Sequence, residues 1–241
     1  MSFSGKYLRI HLNTGEILPQ QIDPADVRRF LLGSGYAAML YAREMDPAVP
    51  ALDPDSPLYI FNGLATGSIM PTACRVSFCG RSPLTGIWNE ANMGGHFAAE
   101  LRKAGLDGLV ISGKAAQPVY LYVHDGTLEI RPATHLWGMD TFECQQAIWD
   151  YVAGSRRYEE WITAPANGDA RSTQRPAVLC IGPAGENKGR IASVIHDAGN
   201  GAGQGGFGGV FGSKKLKAVA VIGNESAAAD GAVTLAEIAG E

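Results

Sequence analysis

The sequence predicts a domain of mixed strands and helices built on a pseudo-symmetric core. Short apolar strands alternate with short helices, and two pairs of strands close as hairpins. Two segments also repeat one order of features. Gly94-Gly95-His96-Phe97 leads through a basic stretch to the apolar run Leu109–Ile111 and Gly113. Gly205-Gly206-Phe207 leads through Lys214 to Ala218–Ile222 and Gly223. Such a repeat implies two related halves, each with a Gly-Gly turn that opens a helical segment and presents N–H groups suited to an anion. With 241 residues, 46% of them hydrophobic and 18% charged, the chain can form one large domain or two small ones around a sizeable core.

The elements follow in order. Tyr7–Leu12 alternates apolar and polar, breaks at Asn13-Thr14-Gly15, and finds a hairpin partner in Glu16–Ile22. Asp23 caps a helix from Pro24 to about Leu32, and a second helix spans Tyr36–Met45 before Asp46-Pro47. After a Pro- and Asp-rich connector, Leu58–Asn62 is a buried strand, Gly63–Thr72 a loop, Arg75–Gly80 a strand and Ser82–Gly86 a turn. Asn92–Gly95 opens a helix running to about Ala104. Leu109–Ile111 and Val119–Val123 are strands, and the second turns at Asp125-Gly126 into Thr127–Arg131. Asp140–Val152 is an amphipathic helix, 156–176 a polar surface insertion, and Ala177–Ile181 a strand. Gly182–Asn187 is a tight loop, Ile191–His196 is compatible with strand or helix, and the tail from Ala227 is weakly helical.

Composition excludes several functions. A net charge of −4 without a long Lys/Arg run argues against a nucleic-acid partner. No apolar stretch approaches the ~18 residues of a membrane span, and Met1–Lys6 carries no apolar signal core. Cys74, Cys79, Cys144 and Cys180 are scattered without a C-x-x-C, which fits a reducing cytoplasm and buried thiols.

Eight of the fourteen residues from Gly199 to Gly212 are glycine. Ordering so many is costly, and the usual reasons to keep them are positive φ and close approach of backbone to a ligand. Lys214, Lys215 and Lys217 follow at once, and N–H groups beside cations suit an anion, most often a phosphate. A flexible surface loop is the plainer reading, but apolar runs bracket this stretch. Gly201-x-Gly203-x-x-Gly206 and Gly203-x-Gly205-x-x-Gly208 also satisfy a dinucleotide-binding spacing, with Glu225 about twenty residues on. In so glycine-rich a run that spacing is nearly unavoidable. The segment after it is too glycine-rich for a crossover helix, and no P-loop is matched.

Seven stretches, in one order, point further. They are Ser82-Pro-Leu-Thr-Gly86, Asn92-x-Gly-Gly-x-Phe97, Glu100-Leu-x-x-Ala-Gly-x-Asp107, Gly113-Lys-Ala-x-x-Pro-Val-Tyr120, Leu136-Trp-Gly138, Ile181-Gly-Pro-Ala-Gly-Glu-Asn187 and Gly212-Ser-Lys-x-Leu-Lys-Ala-Val-Ala-Val221. Together they resemble the N-terminal domain of the tungsten-containing aldehyde:ferredoxin oxidoreductase family, and residues 1–223 are identified as that domain. The insertion at 156–176 has no counterpart in the pattern, and 224–241 leads toward further domains.

The resemblance implies an α+β fold of two packed β-sheets with helices, related by a pseudo-two-fold. It implies a base for a tungsten, or molybdenum, bis-molybdopterin cofactor whose two phosphates share a magnesium ion. It implies oxidation of a small aldehyde to a carboxylic acid, with electrons leaving through a [4Fe–4S] cluster to ferredoxin. By motif, Arg75 in Pro71-Thr72-x-x-Arg75 falls against the pterins. Asn92 and Gly201 would each offer magnesium a backbone carbonyl. Gly94, Gly95, Asn200, Gly203 and Gln204 fall on the segments that meet the cofactor. The family pattern has arginines where Asn200 and Gln204 stand, and Lys214, Lys215 or Arg190 are candidates to compensate.

The resemblance also implies that the cysteine run for the cluster and the acid–base residues would belong to helical domains following this one. No catalytic residue is therefore expected on this chain, and the isolated chain is expected to be inactive. C-terminal helical domains or a complementary subunit would complete a cytoplasmic enzyme, with room for a homodimer. The alternatives are a non-catalytic cofactor-binding or assembly module and, against the context above, a dinucleotide-binding domain.

Overall fold

Two six-stranded sheets with one shared topology form the domain. The computed structural model describes residues 3–68, 70–124, 126–153, 162–163, 171–172, 175–197 and 199–223. The tail expected at 224–241, most of the insertion at 156–176 and Asp125 of the expected hairpin turn lie outside them. The first sheet holds β1 (Lys6–His11), β2 (Glu16–Gln21), β3 (Leu58–Asn62), β4 (Val76–Arg81), β5 (Trp88–Met93) and β6 (Gly108–Ser112), in the order β2-β1-β6-β3-β4-β5. Then come β7 (Val119–His124), β8 (Thr127–Pro132) and the two-stranded ribbon of β9 (Ile162–Thr163) and β10 (Arg171–Ser172). With β7 and β8, β11 (Ala177–Cys180), β12 (Val194–His196), β13 (Asn200–Ala202) and β14 (Leu216–Ile222) complete the second sheet, ordered β8-β7-β14-β11-β12-β13.

Each strand has a counterpart with the same neighbours in the same sense. The hairpins β1–β2 and β7–β8 match, as do the parallel pairs β1–β6 and β7–β14. The antiparallel series β6-β3-β4-β5 matches β14-β11-β12-β13. The repeat legible in the Gly-Gly segments is thus the end of one that spans both sheets.

Period-two alternation sorts the side chains into layers. Leu58 and Ile60 of β3 join Leu121 and Val123 of β7 in the central core, where the two sheets face each other. Tyr59 and Phe61 point the other way, under α1 (Pro24–Phe30) and α2 (Ser34–Glu44). Tyr120 and Tyr122 likewise meet α4 (Thr141–Ala153) through Cys144 and Ile148. The equivalent helices α3 (Phe97–Lys103) and α6 (Phe207–Ser213) contribute Phe97, Leu101, Phe207 and Phe211 to the central core. Among the described residues no helix is long and apolar enough to cross a membrane.

Three sequence readings need correction, and the dinucleotide alternative fails. Trp88–Met93 is a strand that periodicity missed, so Asn92 lies within β5, one residue before its end, and the helix starts at Phe97. Gly182–Asn187 holds a short helix, α5 (Pro183–Glu186). The Gly-rich stretch is a strand, a turn and a helix rather than one loop. Finally, a dinucleotide fold needs parallel strands joined by a long helix. Here β13 is an antiparallel edge strand, α6 has seven residues, and the strand series makes β14 antiparallel to β13.

The glycines have mixed causes. Gly205 and Gly206 turn at φ 93 and φ 72. Gly208, Gly209 and Gly212 let α6 lie backbone-to-backbone on the α5 region. A Cβ would stand 2.5 Å from the Ser193 carbonyl oxygen at Gly208 and 2.6 Å from that of Gly189 at Gly209, and at Gly212 it would overlap that of Gly185.

The three lysines that follow are also structural. Lys214 Nζ donates to the Pro54 carbonyl at 2.8 Å, and Lys215 Nζ to that of Ala116 at 2.5 Å. Lys217 Nζ donates to the Met139 carbonyl at 2.8 Å and pairs with Glu186 at 2.5 Å.

Burial pulls the Lys214 ammonium down to about 7 from 10.5, against the opposing pull of Asp55 and Asp53. Between those values the unfolded chain binds more protons than the folded one, so stability rises with pH through that window. Below the lower value the buried charge weighs on the fold in full. Lys214→Met should flatten this rise, since the Pro54 carbonyl keeps the Gly113 N–H at 2.7 Å as a partner. Urea midpoints at about pH 6.5 and about pH 9.5 test it, and an unchanged difference between them in the variant would refute it.

Candidate functional site

The last strands of the two sheets, β5 and β13, lie against each other where the halves meet. Each is an edge strand, with one side unpaired within its sheet. Between them opens a cleft of about 500 Å³, lined by Asn89, Glu90, Ala91, Asn92, Gly201, Gly203 and Gln204.

The structure brings most of the expected residues to this place. Asn92, Gly201, Gly203 and Gln204 line the cleft. Gly94 and Gly95 sit beside Asn200: a Cβ on Gly94 would lie 3.5 Å from Asn200 Oδ1, and one on Gly95 3.1 Å from Asn200 Nδ2. Arg75 is not among the lining residues. It is exposed just before β4, where Val76 pairs with Met93 at the end of β5.

Asn92 is held by its sheet and does not cap α3. Ser77 Oγ donates to Asn92 Oδ1 at 2.8 Å, and Asn92 Nδ2 donates to Glu90 at 3.4 Å. The first turn of α3 instead meets a side chain from the other half. His196 Nε2 accepts from the backbone N–H groups of His96 and Phe97, both at 3.2 Å. His196 Nδ1 lies 3.0 Å from the Val178 carbonyl oxygen. Burial holds the His196 imidazole below its ordinary pKa, with Val178 and Asp197 opposing.

The two glycines of β13 and its turn differ from those of α6. A Cβ at Gly203 would meet no heavy atom within 4 Å, and one at Gly201 would meet the end of Ile195 at 3.3 Å and the Val194 carbonyl oxygen at 3.7 Å. These positions are open toward the cleft.

The charge expected there is missing. Lys214 and Lys215 bond elsewhere and do not compensate for the absent arginines. Among the described residues no lysine or arginine lines the cleft, whereas Glu90 does. Amide, backbone and carboxylate oxygens of this kind suit a hard cation.

Sequence reasoning missed Asn89, Glu90 and Ala91. Their strand has no β-branched run, and its only signal is the inward pair Ala91 and Met93.

Over residues 7–223 the chain matches the family model described as aldehyde ferredoxin oxidoreductase, N-terminal domain. It is 38% identical over 222 residues to the tungsten-containing aldehyde ferredoxin oxidoreductase of Pyrococcus furiosus, covering 92% of this chain and 34% of that protein. It is 31% identical over 226 residues to the aliphatic sulfonate oxidoreductase, WOR-like subunit, of the same organism, with 92% and 35% covered. Among solved structures it is similar to a chain of the active site complex BamBC of benzoyl coenzyme A reductase in complex with 1,5-dienoyl-CoA. The TM-score is 0.82 at 31% identity, covering 93% of this chain and 32% of that one. The chain spans about a third of the length of the curated relatives it matches.

Proposed function

Since the chain belongs to the aldehyde ferredoxin oxidoreductase N-terminal-domain family, we propose that it is the base on which a tungsten or molybdenum bis-pterin cofactor lies in a larger oxidoreductase. The observation that carries this is the cleft between β5 and β13. A ligand with two like halves, each ending in a phosphate, matches a site made where two like halves of a protein meet.

The residues present fit that group in shape and in donor chemistry. Gly203 and Gly201 leave room for a flat ring system to approach the backbone. Carbonyls of Asn92 and Gly201 would face a magnesium ion that neutralises the two phosphates, with Glu90 nearby as a further hard oxygen. Magnesium matters more here because no cationic side chain among the described residues lines the cleft. Asn200 and Gln204 would offer neutral hydrogen bonds to the cofactor rim, and Gly94 and Gly95 bare backbone. Arg75 would reach the cofactor only from beyond the lining.

When bound, such a cofactor supplies two-electron chemistry, taking an aldehyde and water to a carboxylic acid with release of two protons and two electrons. This chain contributes binding, orientation and exclusion of water from one face. A [4Fe–4S] cluster, a ferredoxin contact and the proton-transferring groups would come from further domains or a partner subunit, in a cytoplasmic enzyme. A second reading keeps the base and changes the substrate. Uncharged Asn200 and Gln204 set this site apart from the arginine-bearing pattern, and relatives of similar identity are named for sulfonate and benzoyl-CoA chemistry.

Protein purified anaerobically with its completing domains should carry about one tungsten or molybdenum and about two pterins per chain. If it holds neither metal and no pterin, from a host that loads another family member, the proposal fails.

A further inference from the structure

Beside the cleft, three ligand-type side chains converge at the seam between the halves. His96 precedes α3, His196 ends β12, and Asp197 follows it. His96 Nδ1, His196 Nε2 and a carboxylate oxygen of Asp197 all lie within 4.8 Å of one another. Asp197 Oδ2 stands 2.9 Å from His96 Nδ1 and 3.0 Å from His196 Nε2.

The far side of the His196 ring fixes its tautomer. Nδ1 faces the Val178 carbonyl oxygen, which can only accept, so Nδ1 carries the proton, and Nε2, which accepts the His96 and Phe97 N–H groups, keeps its lone pair. That lone pair stands against a carboxylate oxygen. Two acceptors at 3.0 Å repel, and a cation bound to both turns the repulsion into attraction.

The backbone also holds the carboxylate there at some expense. Asp197 sits at φ 52, in the left-handed region that residues with a side chain seldom adopt. Gly95 has a matching reason to lack a side chain, because a Cβ there would stand 2.8 Å from His196 Nε2. Two imidazoles and one carboxylate are ligand types that transition metals take, and a backbone carbonyl on the far nitrogen is the bond that commonly orients such a ring.

We propose that His96, His196 and Asp197 bind one divalent transition-metal ion, of the zinc or ferrous type, at the seam between the two halves. His196 is fully buried, while the side chains of His96 and Asp197 are 43% and 28% exposed, so the ion has access from solvent and water can complete its shell. The N–H groups of His96 and Phe97 compete for the same lone pair. At 3.2 Å each they share it weakly, and the ion displaces them. This centre is separate from the magnesium proposed between Asn92 and Gly201 and does not depend on the pterin. It would tie the α3 corner to the β12–β13 corner, next to Asn200.

The test uses the tag-free 241-residue chain, stripped with a chelator, checked for folding by circular dichroism and titrated with Co²⁺ and then Zn²⁺. The expected result is about one equivalent bound, visible Co²⁺ ligand-field bands that Zn²⁺ abolishes, and a raised melting temperature. His96→Ala and Asp197→Asn change partly exposed groups and should stay folded. Each should weaken binding by more than the ~10–100-fold that loss of an outer-shell partner causes. A folded wild-type chain that shows no ligand-field band, or variants that bind as wild type does, would overturn the proposal and leave a purely hydrogen-bonded triad.

Discussion

Gly212→Ala should destabilise the domain by at least about 3 kcal/mol and leave much of the expressed protein insoluble. The added Cβ would overlap the Gly185 carbonyl oxygen, approach the Gly185 carbonyl carbon to 2.8 Å and stand 3.2 Å from Glu186 Cα. All three are backbone atoms, so no change of rotamer relieves the overlap and α6 must move. Every residue of α6 is buried, and Phe207 and Phe211 are locked into the central core. Movement therefore spreads into the packing between the sheets. Alanine recovers only ~1 kcal/mol of helix propensity over glycine. Urea denaturation decides the matter: a variant within ~0.5 kcal/mol of wild type would mean that α5 and α6 can part freely.

That expectation marks where the sequence was legible and where it was not. A glycine-rich run says that something comes close, but it does not say what. At Gly208, Gly209 and Gly212 the close neighbour is the protein's own backbone, and only Gly201 and Gly203 open on the cleft. The lysines misled for a similar reason. Lys214, Lys215 and Lys217 are adjacent to the loop in sequence, yet their side chains turn back to carbonyls of Pro54, Ala116 and Met139.

Strands with a strong apolar signal, such as Leu58–Asn62 and Leu216–Ile222, were readable because both of their faces are buried. Trp88–Met93 was not, because its partner β4 and the neighbouring half hold a polar segment in strand form. The seam cluster was also out of reach. His96 and His196 lie a hundred residues apart in sequence, and no ligand spacing links them. The repeat was partly visible through Gly94-Gly95 and Gly205-Gly206. Its full extent is a matter of strand order, which local residue patterns do not encode.

Gly203→Leu should behave in the opposite way to Gly212→Ala, leaving stability within ~0.5 kcal/mol of wild type and removing the cofactor. A Cβ at Gly203 meets no heavy atom within 4 Å, and Gly203 is not among the glycines at positive φ, so a side chain fits without strain. It projects from the lining of the cleft, opposite the β5 residues Asn89–Asn92, where the flat cofactor is proposed to lie. Tungsten or molybdenum content, measured with pterin on anaerobically purified protein, should fall by more than roughly tenfold, a loss of at least ~1.4 kcal/mol in binding. Gly203→Ala should fall between the two, because a methyl group fills less of the cleft than an isobutyl group. Full loading of Gly203→Leu would move the cofactor away from this cleft. Loss of loading together with a lowered urea midpoint would reduce Gly203 to a packing glycine like Gly212. Within one run of sequence the two substitutions thus separate the glycines that make room for a ligand from those that make room for a neighbouring helix.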